Sequence, residues 1–206
     1  MTTAPTRPGK TLYLPDVEAN PQPGVYRDLI EAAKSRSGEY SKIWDLFAYR
    51  QDFTIHLARF THGVLRAPAS ISPGLRELIA AYTSYRNECG FCTHAHAATA
   101  GELLGSEELV WSALRDLEAS PLDEKTKSLL RFAGRMTNGL PSVCAGDIDA
   151  VRAAGWDDEA IYYAITTCAL FNFYNRWITA TGVPVMSPDA HRAQGRQLAS
   201  RGYIRD

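Results

Sequence analysis

The chain has little that would direct it to a nucleic acid, a membrane or an oxidising compartment. Its 22 basic and 23 acidic side chains leave a formal charge of −1, so no basic surplus points to nucleic acid or to an anionic membrane face. No apolar run approaches the roughly 20 residues that a bilayer-spanning helix needs. The opening stretch, MTTAPTRPGKTLYLPDVEANPQPG, lacks the apolar segment of a secretory signal, which predicts a cytoplasmic, reducing setting. In that setting the four cysteines do not read as a disulfide framework, and a close pair points to redox chemistry or to metal. Alternating strand patterns are missing as well.

What is present is helix after helix. With 206 residues, 45% of them hydrophobic, the chain can bury a core without covalent staples, and it reads as one all-α domain with extensions. Residues 1–24 hold Pro5, Pro8, Pro15, Pro21 and Pro23, which predicts an extended arm. Leu12, Tyr13 and Leu14 make that arm apolar enough to pack on the body or on a neighbouring subunit. Residues 25–183 form the helical body, and residues 184–206 are expected to be a polar tail with one short helix. Ser72-Pro73 has the form of a helix N-cap followed by proline at the first helical position, with Leu75, Leu78, Ile79 and Tyr82 as the buried stripe. The next helix is expected to begin around the cysteine pair and to end at Gly105. Asp157 to Thr181 reads as a long central helix. Leu104-Gly105-Ser106-Glu107-Glu108-Leu109-Val110 resembles Ala154 to Ile161 with one residue inserted, a weak internal repeat.

The stretch that carries chemistry is Glu88-Cys89-Gly90-Phe91-Cys92-Thr93-His94-Ala95-His96. Cysteines at i and i+3 come within bonding reach inside one helical turn. At a helix N-terminus the free N–H groups favour the thiolate, which is the reactive form. His96 follows Cys92 by four residues, one turn along the same face, where an imidazole can exchange a proton with a thiol. A structural zinc site would need further ligands, and Cys144 and Cys168 are isolated. Haem attachment needs histidine where Thr93 stands. Two buried core thiols are the remaining alternative. Glu77 lies on the preceding helix, off its apolar stripe and on a face with Ala80, Ala81 and Ser84. If the two helices pack antiparallel, Glu77 reaches His96; an exposed first-turn glutamate is the alternative. Asn172, Asn175, Arg176 and Thr179 share a polar stripe, which either lines the site or ties a subunit interface. His56, His62 and His94 read as solvated, capped or interface side chains.

Arg76-Glu77-Leu78, eleven residues from Glu77 to the first cysteine, then Cys89-x-x-Cys92, three more residues and His96, resembles the alkylhydroperoxidase (AhpD-like) branch of the carboxymuconolactone decarboxylase family. The likeness runs from about Ile43 to Val183 and takes in Phe91 and Asn175-Arg176. Phe91 stands where the founding peroxidase has a second histidine. The resemblance implies an all-helical homo-oligomer that reduces hydroperoxides. Cys92 would be the cysteine that meets peroxide, Cys89 its disulfide partner, and His96 with Glu77 the proton relay. An external dithiol, lipoyl or thioredoxin-like, would reset the pair. This reading requires neither cofactor nor metal. Two others share the scaffold: a decarboxylase or isomerase of a small lactone, whose chemistry has no need of two cysteines, and a non-enzymatic redox-responsive binding module.

Overall fold

Side-chain caps define several of the helix starts, the expected one at Ser72 among them. The computed structural model describes residues 11–36, 39–138 and 143–205. Among these, eleven helices follow in order: α1 (Pro15–Ala19), α2 (Val25–Ser35), α3 (Ile43–Tyr49), α4 (Gln51–Arg66), α5 (Pro73–Arg86), α6 (Gly90–Leu104), α7 (Glu107–Arg115), α8 (Glu124–Asn138), α9 (Ala145–Ala153), α10 (Asp158–Thr181) and α11 (Pro188–Arg201). Ser72, Ser106, Asp157 and Ser187 each accept a hydrogen bond from the backbone N–H three residues on, at 2.7 to 3.3 Å. Gly105 ends α6 at φ 77° and Gly155 follows α9 at φ 95°, each just ahead of a capped helix. The two corners of the predicted repeat thus share their local form.

The apolar interior falls into two clusters. One gathers α5, α7, α8 and the first half of α10 around Leu78, Ile79, Leu129, Leu130 and Val110. The other gathers α2, α3, α4 and the second half of α10 around Ile30, Phe47, Leu65 and Phe171, and it contains Cys89, Phe91 and Cys92. Helix α5 runs between them and is buried from Gly74 to Ser84. Small residues on one side of it let α6 approach. A Cβ on Gly74, at the start of α5, would lie 2.8 Å from Leu104 at the end of α6, so the two helices are antiparallel.

Two segments differ from their sequence expectation. Of the arm, residues 1–10 lie outside the described residues. Further along, Pro15 opens the short helix α1, because proline is tolerated where the helical N–H has no partner to lose. Leu12 is buried, and the Tyr13 N–H donates to the Thr181 carbonyl at 2.9 Å, which ties the arm to the end of α10. The tail is built into the body. Helix α11 has fourteen residues and lies along α6, so close that a Cβ on Gly195 would fall 2.8 Å from the backbone of Ala98. Only His191, Gly195 and Leu198 of α11 are buried, too sparse an apolar stripe to announce a docked helix.

Candidate active site

The turn into α6 is tight. Asn87 caps α5, and Glu88 then takes the left-handed conformation at φ 55°, a costly geometry for a side chain with a Cβ. It reverses the chain so that Cys89 becomes the N-cap of α6 and Cys92 falls in its first turn. The Cys89 N–H donates to the Ser84 carbonyl at 3.0 Å, and the Cys89 carbonyl accepts from Thr93 at 2.9 Å. Both cysteines are buried. Val185 of the tail lies over Gly90, the residue next to Cys89, 3.1 Å from where a Cβ would stand.

The neighbouring Cys92 thiol does most to pull the Cys89 thiol down to about 7, against the burial that pushes it up; the Cys92 N–H, Thr179 and Asn175 add to it. Burial first, and the neighbouring Cys89 second, push Cys92 well above the usual thiol range. The two thiols interact, so the lower and the higher value belong to the pair, and one thiol is the readier to lose its proton near neutrality. Asn175 is buried beside both thiols. Its amide donates to Ser84 Oγ at 2.9 Å, and its carbonyl accepts from Asn87 at 2.9 Å. Of the predicted polar stripe, Asn175 and Thr179 therefore face the dithiol. Arg176 is exposed and holds the Asn172 side chain at 2.9 Å.

Glu77 and His96 meet as the antiparallel packing predicts. His96 Nδ1 lies 2.7 Å from Glu77 Oε2. The carboxylate is fully buried and accepts two further bonds on Oε1, from Arg66 Nη2 at 2.7 Å and from the Tyr203 hydroxyl at 2.6 Å. Burial alone would raise the pKa of Glu77; His96, Arg66 and Tyr203 together hold it below the ordinary value. An anionic Glu77 places the imidazole hydrogen on Nδ1 and leaves the Nε2 lone pair turned away from the carboxylate. The ring is fixed edge-on against Phe171 and parallel to Tyr203. Arg76, also fully buried, serves structure: it donates to the carbonyls of Val64 and Ala67 at 2.9 and 2.7 Å and holds the end of α4 against α5.

Sequence reasoning missed Arg66 and Tyr203. Neither has a local motif, since one ends α4 and the other follows α11. His62 holds Tyr203 in place by accepting its N–H at 3.2 Å, a role beyond the solvated or capped one expected of it. His94 is half-buried between Trp111 and His191, and His56 is exposed. Cys168 is buried far along α10, and Cys144 is exposed at the start of α9.

Cys92, His96, Phe91 and Tyr203 share one cavity that opens to solvent. Its walls come from α2, α3, α4, α6, α10 and α11, and aromatic rings make up much of them. Among the described residues no group of three or more histidine, cysteine, aspartate or glutamate side chains comes together to hold a metal, and no helix is long and apolar enough to cross a membrane.

An all-helical protein with two adjacent buried thiols at a helix N-terminus, backed by a carboxylate–imidazole pair, is the class that fold and site define. No family model matches the chain, and no curated protein matches it by sequence. Solved structures do. A peroxidase-related protein from Silicibacter sp. TM1040 is similar over 93% of this chain and 99% of its own, at a TM-score of 0.76 and 23% identity. The alkylhydroperoxidase AhpD core of a peroxidase-related protein from Ralstonia eutropha JMP134 is similar over 85% and 91%, at 0.71 and 22%. A variant of the debrominase Bmp8 in complex with 2,3,4-tribromopyrrole is similar over 94% and 98%, at 0.66 and 17%. The chain has the AhpD-like fold.

Proposed function

We propose that the protein is a thiol-dependent peroxidase-like oxidoreductase that reduces hydroperoxides through Cys89 and Cys92. The observation that carries this reading is the contact of Glu77 with His96, 2.7 Å apart and buried, one helical turn from a cysteine on a cavity wall. A buried carboxylate is costly unless it is paired, and here its three donors set the tautomer of an imidazole beside a thiol pair.

Cys92 lines the cavity, so peroxide meets it first. Its proton passes to the Cys89 thiolate or to His96. The Cys92 thiolate then attacks the outer peroxide oxygen, the O–O bond breaks, and the sulfur becomes a sulfenic acid. The departing alkoxide takes a proton from the relay and leaves as alcohol. Cys89 displaces hydroxide from Cys92; water leaves and a disulfide forms. An external dithiol, lipoyl or thioredoxin-like, restores both thiols by exchange and is itself oxidised. Hydroperoxide and dithiol are thus converted to alcohol, water and disulfide.

The test is peroxide consumption with a panel of dithiol donors. Multiple turnovers with at least one donor are expected. One oxidation per chain and no more, whichever donor is present, would instead fit the redox-responsive module. The aromatic cavity favours a second reading, reductive dehalogenation of an aromatic ring, and its assay is bromide release from 2,3,4-tribromopyrrole with the same donors. We also propose a homo-oligomer. Tyr162 and Phe173 are exposed on α10 and Phe53 and Phe60 on α4, large apolar side chains that a second copy would cover. A monomer by light scattering at micromolar concentration refutes that assembly.

A further inference from the structure

The cavity carries polar groups that the dithiol chemistry does not use. Arg205 is on its wall. Arg205 Nη1 donates to the carbonyls of Gly202 at 2.8 Å and Ile204 at 2.9 Å. Among the described residues its Nε and Nη2 make no hydrogen bond, and no carboxylate pairs with it. Those two nitrogens form one edge of the guanidinium, the edge that meets both oxygens of a carboxylate side by side. The other cation at the site, Arg66, is already paired with Glu77, so the two charges cancel and Arg205 is the positive surplus of the cavity wall. Tyr26 lines the same cavity, and its hydroxyl has no hydrogen bond among the described residues. Burial pushes that phenol up to about 12, so it remains a neutral donor. Gln194 Oε1, also at the cavity, is buried without a partner. Much of the remaining wall is aromatic or aliphatic, with Trp44, Phe47, Phe91 and Phe171 among its side chains.

We infer that this cavity binds an amphiphilic acid, its carboxylate on Arg205 and its apolar body against the aromatic wall, so that the reacting group is held near Cys92. The inference rests on the dithiol reading for the reaction and not for the binding. A half-buried guanidinium with a free bidentate edge gains a counter-charge it otherwise lacks. The apolar wall gives the body of the ligand a place out of water. Arg205 then selects among hydroperoxides of similar shape, favouring those that carry an acid.

Two matched pairs of probes test this. The first pair, 4-isopropylbenzoate and 4-isopropylbenzamide, measures binding alone by calorimetry. The second, cumene hydroperoxide and its para-carboxylate, measures kcat/KM. Charge-assisted hydrogen bonds to a guanidinium correspond to about tenfold in affinity. The benzoate is therefore expected to bind the full-length wild-type protein about tenfold more tightly than the benzamide, and the carboxylated peroxide to show a similar advantage. Arg205→Gln is expected to bring both ratios close to one, and Arg205→Lys to keep part of them. Equal binding of benzoate and benzamide to the wild type overturns the inference without recourse to any variant, as does a preference that survives Arg205→Gln. A benzoate preference that Arg205→Gln abolishes, in a protein that consumes neither peroxide, upholds the binding site and removes the peroxidase reading.

Discussion

Glu77→Gln tests the arrangement on which the proposed chemistry depends. Three donors converge on this carboxylate: Arg66 and Tyr203 on Oε1, and His96 on Oε2. An amide of the same shape offers one acceptor oxygen and one NH2. If the oxygen stays with Arg66 and Tyr203, the NH2 faces His96 Nδ1. The imidazole must then accept there and carry its own hydrogen on Nε2, so the other nitrogen becomes a donor and no longer a base. Arg66, its side chain 10% exposed, loses its counter-charge at the same time. Removing one partner of a buried ion pair costs 3–5 kcal/mol; the amide keeps part of the hydrogen bonding, so a loss of about 3 kcal/mol is expected. A positioned general base is worth about 10²–10⁴ in rate, so the first oxidation of Cys92 should slow by about 100-fold without vanishing, because the helix N-terminus still favours a thiolate. Urea unfolding gives the stability, and stopped-flow oxidation by peroxide gives the rate. The pH dependence adds a signature. A carboxylate with a depressed folded pKa contributes stability that is complete above its ordinary value of 4.5 and is lost as pH falls through the folded value. The gap between wild type and variant should therefore be constant near neutrality and close in acid. A gap under about 1 kcal/mol at pH 7, or a rate within about threefold of wild type, refutes the reasoning, since both lie well below the ranges above.

Four further outcomes are expected. Cys92→Ser should abolish the first oxidation by peroxide, whereas Cys89→Ser should leave a trappable sulfenic acid on Cys92 and block turnover, read by intact mass after sulfenate capture; the reverse pattern exchanges the two roles. Wild-type thiolate absorbance should rise by one equivalent near pH 7, with the second thiol titrating far above it. Tyr203→Phe removes one charge-assisted hydrogen bond from Glu77 and should cost about 2 kcal/mol in urea unfolding, and an unchanged midpoint would mean that the tail does not support the relay. His191 is buried on α11, and burial, with His94 second, pulls it from 6.5 to about 4. Between those values the unfolded chain binds a proton that the folded one does not, so wild-type stability should fall by roughly 2–3 kcal/mol as pH drops from 6.5 to 4, and His191→Asn should flatten that slope.

The sequence by itself determined the helical class, the caps at Ser72, Ser106 and Asp157, the end of α6 at Gly105, and the placing of the cysteine pair at a helix N-terminus. Each depends on contacts within a few residues, and local chemistry is written in local sequence. The pairing of Glu77 with His96 was only half legible: antiparallel packing would bring the two together, but spacing alone favoured an exposed or first-turn glutamate, and the pairing was what the family resemblance implied. Tertiary structure alone decided the rest. Arg66 and Tyr203 reach Glu77 across separations of 11 and 126 residues, and no spacing rule joins the end of α4, the middle of α5 and the chain after α11. The tail read as polar because its buried face is only three residues wide on α11, and docking on α6 depends on the absence of a side chain at Gly195. The division of charge between the two thiols was hidden for the same reason. Helix position favours thiolate at both cysteines, and what separates them is their effect on each other, the burial of Cys92, and Thr179, which α10 delivers to Cys89 alone once the core has closed.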